Sequence, residues 1–293
     1  MKRGVARCAL LCLALAGWGL ACATEPEASA SALHAKYASL RAELEQSPFD
    51  RPLRLESTET PDHLHGDVHA VVAYPFSRVR AGLDGGQRWC DILLLHLNVK
   101  ACRVAADGRV VRVYIGKKFD EPVSQAHKIE FAYRVEAQTP DYFRLSLDAA
   151  NGPFGTRDYR IALEAVPLDP SRTFVHLSYA YSYGASAKMA MEAYLHTVGV
   201  QKVGFSAEGQ RPDGRPVLVG GLRGALERNV MRYYLAIDAY LAALSVPPDE
   251  RLEERLRDWF DSTERYALQL HEVEQDEYLQ MKRRECAEQS STM

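Results

Sequence analysis

Basic blocks, CxxC pairs and a second long apolar run are all missing from this chain of 293 residues. Each absence excludes something. Its 36 Lys and Arg are dispersed among 39 Asp and Glu, and the formal charge of −3 offers no electrostatic footprint for nucleic acid. Beyond residue 23, no segment approaches the ~18 uninterrupted apolar residues of a membrane-spanning helix. Cysteine is scarce, with six residues in all, and Cys90 and Cys102 lack the CxxC partner that a zinc site would need. No Ser–His–Asp, paired-carboxylate or Walker-type constellation is present. Gly184-Ala185-Ser186-Ala187 lacks the flanking pattern of a nucleophile elbow. Gly220-Gly221 resembles a phosphate-cradling helix start only faintly, and close approach of backbone to sheet is the simpler role. There is no internal repeat, and no cofactor is implied.

The N-terminus, by contrast, is informative. Lys2, Arg3 and Arg7 form a positive n-region, and Cys8 to Leu20 is an apolar stretch too short to span a bilayer with ordinary flanks. Ala21-Cys22-Ala23 fits a small-residue cleavage site, so export to a bacterial periplasm is expected, with residues 1–23 as signal peptide. The alternative is a lipoprotein signal acylated at Cys22. The Ala21-Cys22 junction and the tether-like ATEPEASASA favour it, and Gly19 in place of the usual Leu counts against it.

Removing a leader with three basic residues and no acid takes the charge from −3 to −6. Cys90, Cys102 and Cys286 remain. In an oxidising compartment the close pair is the natural disulfide, from the second of two short helices to the strand after it. Closing so small a loop contributes on the order of 2–3 kcal/mol. Cys286, in a polar C-terminal helix, is left as a free thiol or an intermolecular bridge.

Hydrophobic spacing places the elements. Leu33, Tyr37, Leu40 and Leu44 predict an amphipathic helix over 31–46, and a strand follows over 51–60. Residues 66–102 then read as a strand, Pro75, a helix from Ser77, a Gly85-Gly86 break, a second helix and a returning strand. Alternating runs follow over 99–105, 109–117, 128–137, 142–149, 157–166 and 173–183. Breaks such as Asp107-Gly108, Thr139-Pro140-Asp141 and Asn151-Gly152-Pro153 are short, which requires hairpins and an antiparallel sheet. One face carries Ile129, Phe131, Tyr133, Tyr159, Ile161, Tyr179, Tyr181 and Tyr183, and the other is expected to meet water.

A helix over 219–244 offers the stripe Leu222, Leu226, Val230, Tyr233, Ile237 and Leu241 to cover the apolar face, with Arg223, Glu227, Arg228 and Arg232 expected outside. Between sheet and helix, a helix over 187–196, a short apolar piece at 200–206 and a polar loop at 209–215 are expected. One further amphipathic helix is expected over 248–270. Residues 272–293 read as a charged, solvated helix with a frayed end.

This order resembles the START-like helix-grip superfamily (SRPBCC), which includes polyketide cyclases and pollen-allergen-like proteins. The piece AVVAYPFSRVRAGLDGGQRWCDIL, with Trp89, is similar to that family's usual entry of strand, Pro and helix. The resemblance covers about residues 64–245. It implies an α+β fold in which a curved antiparallel sheet grips a long C-terminal helix. Here there would be extra helices at both ends: linker, helix and strand at 24–63, and a helical extension at 246–293. It also implies a tunnel for a hydrophobic small molecule or lipid. No branch signature transfers a catalytic residue.

Two rows stand out beyond the resemblance. His63, His65, Asp67 and His69 point one way along a strand and could converge on zinc, but a row with ~6–7 Å between alternate residues spreads ligands apart. They are read as the polar outer face. Inward Tyr133, Tyr159, Tyr179 and Tyr181, with Phe131 on the sheet and Tyr233 on the long helix, are the candidate ligand-binding residues. An ordinary core whose hydroxyls reach the rim remains open beside that. His96 and His127 are expected at the surface. Three functions compete: non-catalytic binding of a lipid-like ligand, a cyclase or hydrolase needing a polar group in the tunnel, and a scaffold binding a protein partner through 248–293, which the Trp259-Phe260 pair weakly supports. A cavity of roughly 300 Å³ or more would favour binding, and a filled core the scaffold.

Overall fold

The computed structural model describes residues 29–197 and 202–291. The leader with Cys22, most of the linker and the start of the apolar piece at 200–206 lie outside the described residues.

The first helix, α1 (Ala30–Glu45), is capped by Ser29, whose hydroxyl accepts the Ala32 N–H at 3.2 Å. Strands β1 (Leu53–Glu59) and β2 (His63–Val72) form a hairpin. Helices α2 (Phe76–Leu83) and α3 (Gly86–Leu93) follow, separated by Gly85 at φ 139°, a conformation that favours glycine. Six strands complete a meander: β3 (Val99–Val104), β4 (Val110–Ile115), β5 (His127–Gln138), β6 (Phe143–Asn151), β7 (Thr156–Pro167) and β8 (Thr173–Tyr183). The chain continues through α4 (Ala185–Thr197), a small hairpin of β9 (Ala207–Gln210) and β10 (Pro216–Leu218), and the long α5 (Gly221–Ala243). It closes with α6 (Arg251–Glu264), the single turn α7 (Ala267–Leu270) and α8 (Gln275–Ser291).

The eight strands form one antiparallel sheet in the order β1-β2-β8-β7-β6-β5-β4-β3. A strand, two short helices, a meander returning beside that strand and a long helix across the sheet make an α+β helix-grip fold, here extended by β1 at one edge. Asp107-Gly108 turns β3 into β4 with Gly108 at φ 72°, and Asp169 caps the β7–β8 turn by accepting the N–H groups of Ser171 and Arg172. Register shifts at Val99/Ala101, Val135/Ala137 and Arg157/Arg160 are bulges, which add twist and curl the sheet.

α5 grips the sheet over β2, where Gly66 leaves its space to Leu226 and Val230. A Cβ there would sit 3.3 Å from Leu226. Leu226, Val230, Ile237 and Leu241 are buried against Leu64, Val68 and Leu177 in one continuous core. Truncating any one of these to Ala would cost about 2–5 kcal/mol.

Several expectations change. The polar side of α5 is not outside: Glu227, Arg228 and Arg232 are buried, because the segment from 202 and the C-terminal helices cover them. Glu227 accepts the N–H groups of Phe205 and Ser206 and the Ser57 hydroxyl, pinning that segment to helix and sheet. The outer sheet face does not all meet water either. α1 lies on it, and Leu33, Leu40 and Leu44 form a second, smaller core with Tyr142, Val166 and Phe174. The helix expected over 248–270 breaks at Arg265-Tyr266, where the Tyr266 hydroxyl donates to the Phe49 carbonyl. The polar loop at 209–215 is the tip of the β9–β10 hairpin.

The last helix departs most from expectation. α8 is no solvated tail, since Tyr278, Leu279 and Met281 join the main core. Its polar side chains satisfy backbone that the edge strand β3 would otherwise leave open. Lys282 donates to the carbonyls of His96 (2.7 Å) and Val99 (2.9 Å), Tyr278 to that of Leu95 (2.9 Å), and Gln289 accepts the Cys102 N–H (2.9 Å). Composition hid this, because a buried Lys reads as a surface Lys until its partners are known.

Candidate functional site

The inner sheet face and α5 diverge toward the end of the sheet where β6 turns into β7. The bulge between Arg157 and Arg160, with Asp158 at φ 54°, turns Tyr159 inward at this end. A cavity of about 150 Å³ remains there, and Tyr159, Tyr179, Tyr181, Tyr233, His96 and Asn229 contribute to its lining. It opens beside Phe154, which is 71% exposed.

Tyrosine rings build the wall. Tyr159 stacks on Tyr181 at 5.1 Å between centroids, and Tyr179 meets Tyr233 edge-on at 5.2 Å. The Tyr159 hydroxyl donates to Thr156 at 2.9 Å. The hydroxyls of Tyr179, Tyr181 and Tyr233 have no hydrogen-bond partner among the described residues. Burial raises the pKa of all three, so they stay neutral phenols.

Four of the six candidate ligand-binding residues therefore meet at one cavity. The other two do not line it. Phe131 stands behind Tyr159, edge-on at 6.5 Å. The Tyr133 hydroxyl accepts the Gly85 N–H at 2.7 Å and tethers the α2–α3 junction to the sheet, and burial pushes its pKa up to about 12.

Sequence reasoning missed His96. It was expected at the surface, yet it is only 2% exposed and lines the cavity. Its ring lies 5.2 Å from that of Tyr233 and 6.4 Å from that of Trp259. Neither ring nitrogen makes a hydrogen bond among the described residues, and the Asn98 side chain, which also lines the cavity, is the ring's polar neighbour. Burial, with Arg232, Lys282 and Lys118 close by, holds its pKa well below the ordinary value, and the imidazole is neutral. A signal for its burial was present, since His96 sits between Leu93-Leu94-Leu95 and Leu97. His127 is exposed, as expected, with its ring against Phe154.

The segment bearing His96 is held from two sides. Cys90 on α3 and Cys102 on β3 are disulfide-bonded with Cα atoms 5.2 Å apart, so the bridge encloses residues 91–101. Lys282 of α8 grips its backbone from outside.

The histidine row stands on the outer face, as expected. His176 of β8 joins it, bonded to Asp67 at 2.7 Å and Glu164 at 2.8 Å, with His69 stacked on it at 4.3 Å. Burial opposes the charge on His176, but its two carboxylate partners outweigh that and lift its pKa to about 9. Burial and the His176 charge hold His69 down to about 3. Among the described residues, no group of three or more His, Cys, Asp or Glu is arranged to hold a metal ion, and no helix is long and apolar enough to cross a membrane.

With element order and cavity in place, the class is clear: an α+β helix-grip fold. No family model matches the chain, and no curated protein matches it in sequence. Similar solved structures include a START superfamily protein from Mycobacterium smegmatis, at 16% identity and TM-score 0.30, covering 47% of this chain and 92% of that one. Norcoclaurine synthase from Thalictrum flavum, in complex with dopamine and hydroxybenzaldehyde, has 11% identity and TM-score 0.34, over 50% of this chain and 81% of that one. The Zhui aromatase/cyclase of Streptomyces sp. R1128 has 12% identity and TM-score 0.31, over 68% and 94%.

Proposed function

We propose that the protein is exported by its leader and binds a hydrophobic small molecule between sheet and α5 without converting it. One observation carries this reading. Tyr179, Tyr181 and Tyr233 gather at one cavity with hydroxyls that make no hydrogen bond among the described residues, whereas Tyr133, Tyr142, Tyr159, Tyr183, Tyr266 and Tyr278 have partners. Buried Tyr234 and Tyr240 make none either, but they do not line this cavity. A core alone gains nothing from three unengaged phenols, while an amphipathic ligand uses both ring and hydroxyl. The cavity falls below the roughly 300 Å³ of ordinary ligand pockets. It holds a ring-sized molecule, or the end of a lipid whose remainder extends past Phe154.

The test is an organic extract of protein purified from cells, read by mass spectrometry, with thermal unfolding repeated in apolar compounds. A co-purifying hydrophobic molecule, or a rise in Tm with added ligand, is expected. An empty extract together with no protection by any compound would defeat the reading.

One observation favours a second reading, a cyclase or hydrolase. His96 is a buried polar group inside the cavity, which such an enzyme requires. No carboxylate or nucleophile is bonded to it, and binding accounts for it more simply. The scaffold reading has less behind it: of its Trp259-Phe260 pair, Trp259 is buried against Tyr278 and donates to the Arg232 carbonyl at 3.3 Å, and Phe260 is half-buried against the same tyrosine. Export fits the Cys90–Cys102 bridge, which oxidising compartments allow. Acylation at Cys22 is the alternative to cleavage after Ala23, and fatty-acid incorporation lost in Cys22→Ala would establish it.

A further inference from the structure

The cavity wall holds one polar side chain whose position a solid core does not explain. A buried imidazole without hydrogen bonds forfeits the bonds it makes to water in the unfolded chain. His96 is that residue: both ring nitrogens are buried and make no hydrogen bond among the described residues, with the Asn98 side chain, which also lines the cavity, as the ring's polar neighbour. Its backbone is nonetheless fixed on every side: its N–H donates to the Leu93 carbonyl at 3.1 Å, and its carbonyl accepts from the Val99 N–H at 3.0 Å and from Lys282 at 2.7 Å. Disulfide and α8 thus hold in place a group whose ring makes no hydrogen bond among the described residues. Preorganisation of this kind is what a recognition group needs.

We propose that His96 is the polar anchor of the cavity, and that the ligand is a compact, uncharged, ring-sized molecule whose single hydroxyl hydrogen-bonds to this imidazole. The inference rests on the binding reading above and narrows it. Size follows from the cavity, because about 150 Å³ accommodates one benzene-sized ring. Ring character follows from the wall, where the faces and edges of Tyr159, Tyr179, Tyr181 and Tyr233 offer stacking contacts. The hydroxyl follows from His96. A neutral imidazole presents one N–H donor and one acceptor, and a hydroxyl can answer either. Neutrality of the ligand follows because the imidazole is itself held neutral and the cations around it are already paired, Arg232 and Lys118 with Glu272 and Lys282 with Glu285, so no unpaired charge faces the cavity's occupant. An apolar ring of equal size would leave His96 as unsatisfied as it is now.

The probes are toluene and p-cresol, which differ by one hydroxyl, with decanoate as a long-chain comparison. Dissociation constants are measured by calorimetry on the full mature chain with its disulfide intact. Both ring compounds are expected to bind. The ratio of the toluene to the p-cresol constant should fall about tenfold in His96→Leu, which loses the anchor, and change less than about twofold in His96→Gln, which keeps a donor and an acceptor. An unchanged ratio in His96→Leu overturns the anchor role while leaving the binding reading intact. Binding of decanoate but of neither ring compound overturns the ring-sized ligand, again without touching that reading. Binding of none of the three defeats both. Should His96→Leu fail to fold, ¹⁵N-histidine spectra of the wild type decide: a His96 ring nitrogen shifts with p-cresol and not with toluene, and no p-cresol-specific shift at saturation overturns the proposal.

Discussion

At the scale of the residue, similar side chains do different work because their partners differ. Tyr133 and Tyr181 both point inward, yet one is bonded to Gly85 and the other to no group among the described residues. Tyr133→Phe would leave the Gly85 N–H without its acceptor, at a cost of about 1–3 kcal/mol. A lower Tm with ligand affinity unchanged is expected, and a loss of affinity at equal stability would instead place Tyr133 in the site. On the outer face, His176 is a charged histidine held by Asp67 and Glu164. Its pKa rises from the ordinary ~6.5 to about 9 on folding. Its contribution to stability is therefore complete below about pH 6.5 and lost as pH rises through about 9. The Tm gap between wild type and His176→Gln should be widest near pH 6.5 and close by pH 9.5, and a gap constant with pH would show that charge is not what holds this cluster together.

At the scale of the element, α3, β3 and α8 form one support for the cavity. The Cys90–Cys102 bridge closes a short loop, and its removal in the double Ala variant should cost on the order of 2–3 kcal/mol. Because His96 lies within that loop, the same variant should also bind the cavity's ligand more weakly, as urea unfolding and calorimetry would reveal. The α8 side is tied by charge. Lys282 and Lys100 share Glu285, with Lys282 at 2.8 Å and Lys100 at 3.1 Å. Burial lowers the Lys282 pKa to about 8 against the pull of Glu285. Lys282→Met removes a buried charge from its partner and leaves the carbonyls of His96 and Val99 short of a donor. A loss of about 3–5 kcal/mol is expected. A variant of wild-type stability would mean that α8 merely rests on the surface.

At the scale of the molecule, the volume left between sheet and α5 limits what the fold can hold. Affinity should rise from a small apolar molecule to a single ring and fall again for fused three-ring compounds, which exceed about 150 Å³. A steady gain through three rings would mean that α5 and the sheet part on binding. The core is otherwise continuous from β1 to α8, so the C-terminal helices complete the structure that carries the cavity.

Much of this architecture was legible in the chain itself. Alternation at period two fixed the meander and the inward tyrosines, and short polar turns allowed only antiparallel pairing. The bridge was expected from two cysteines at neighbouring elements in a chain whose first residues read as a leader. Boundaries of β8 and α5 fell within two residues of expectation for the same reason: their signals are local. What tertiary structure alone decided concerns groups whose meaning depends on distant partners. Glu227, Arg232 and Lys282 read as surface charge by composition and are buried because segments far along the chain cover them. His96 lies in a turn without period, and only the meeting of β3, β8, α5 and α8 makes it a cavity residue. Residues 66–102 thus declared the container through local pattern. The imidazole that would select its contents became visible only once packing had removed it from water and given it nothing in exchange.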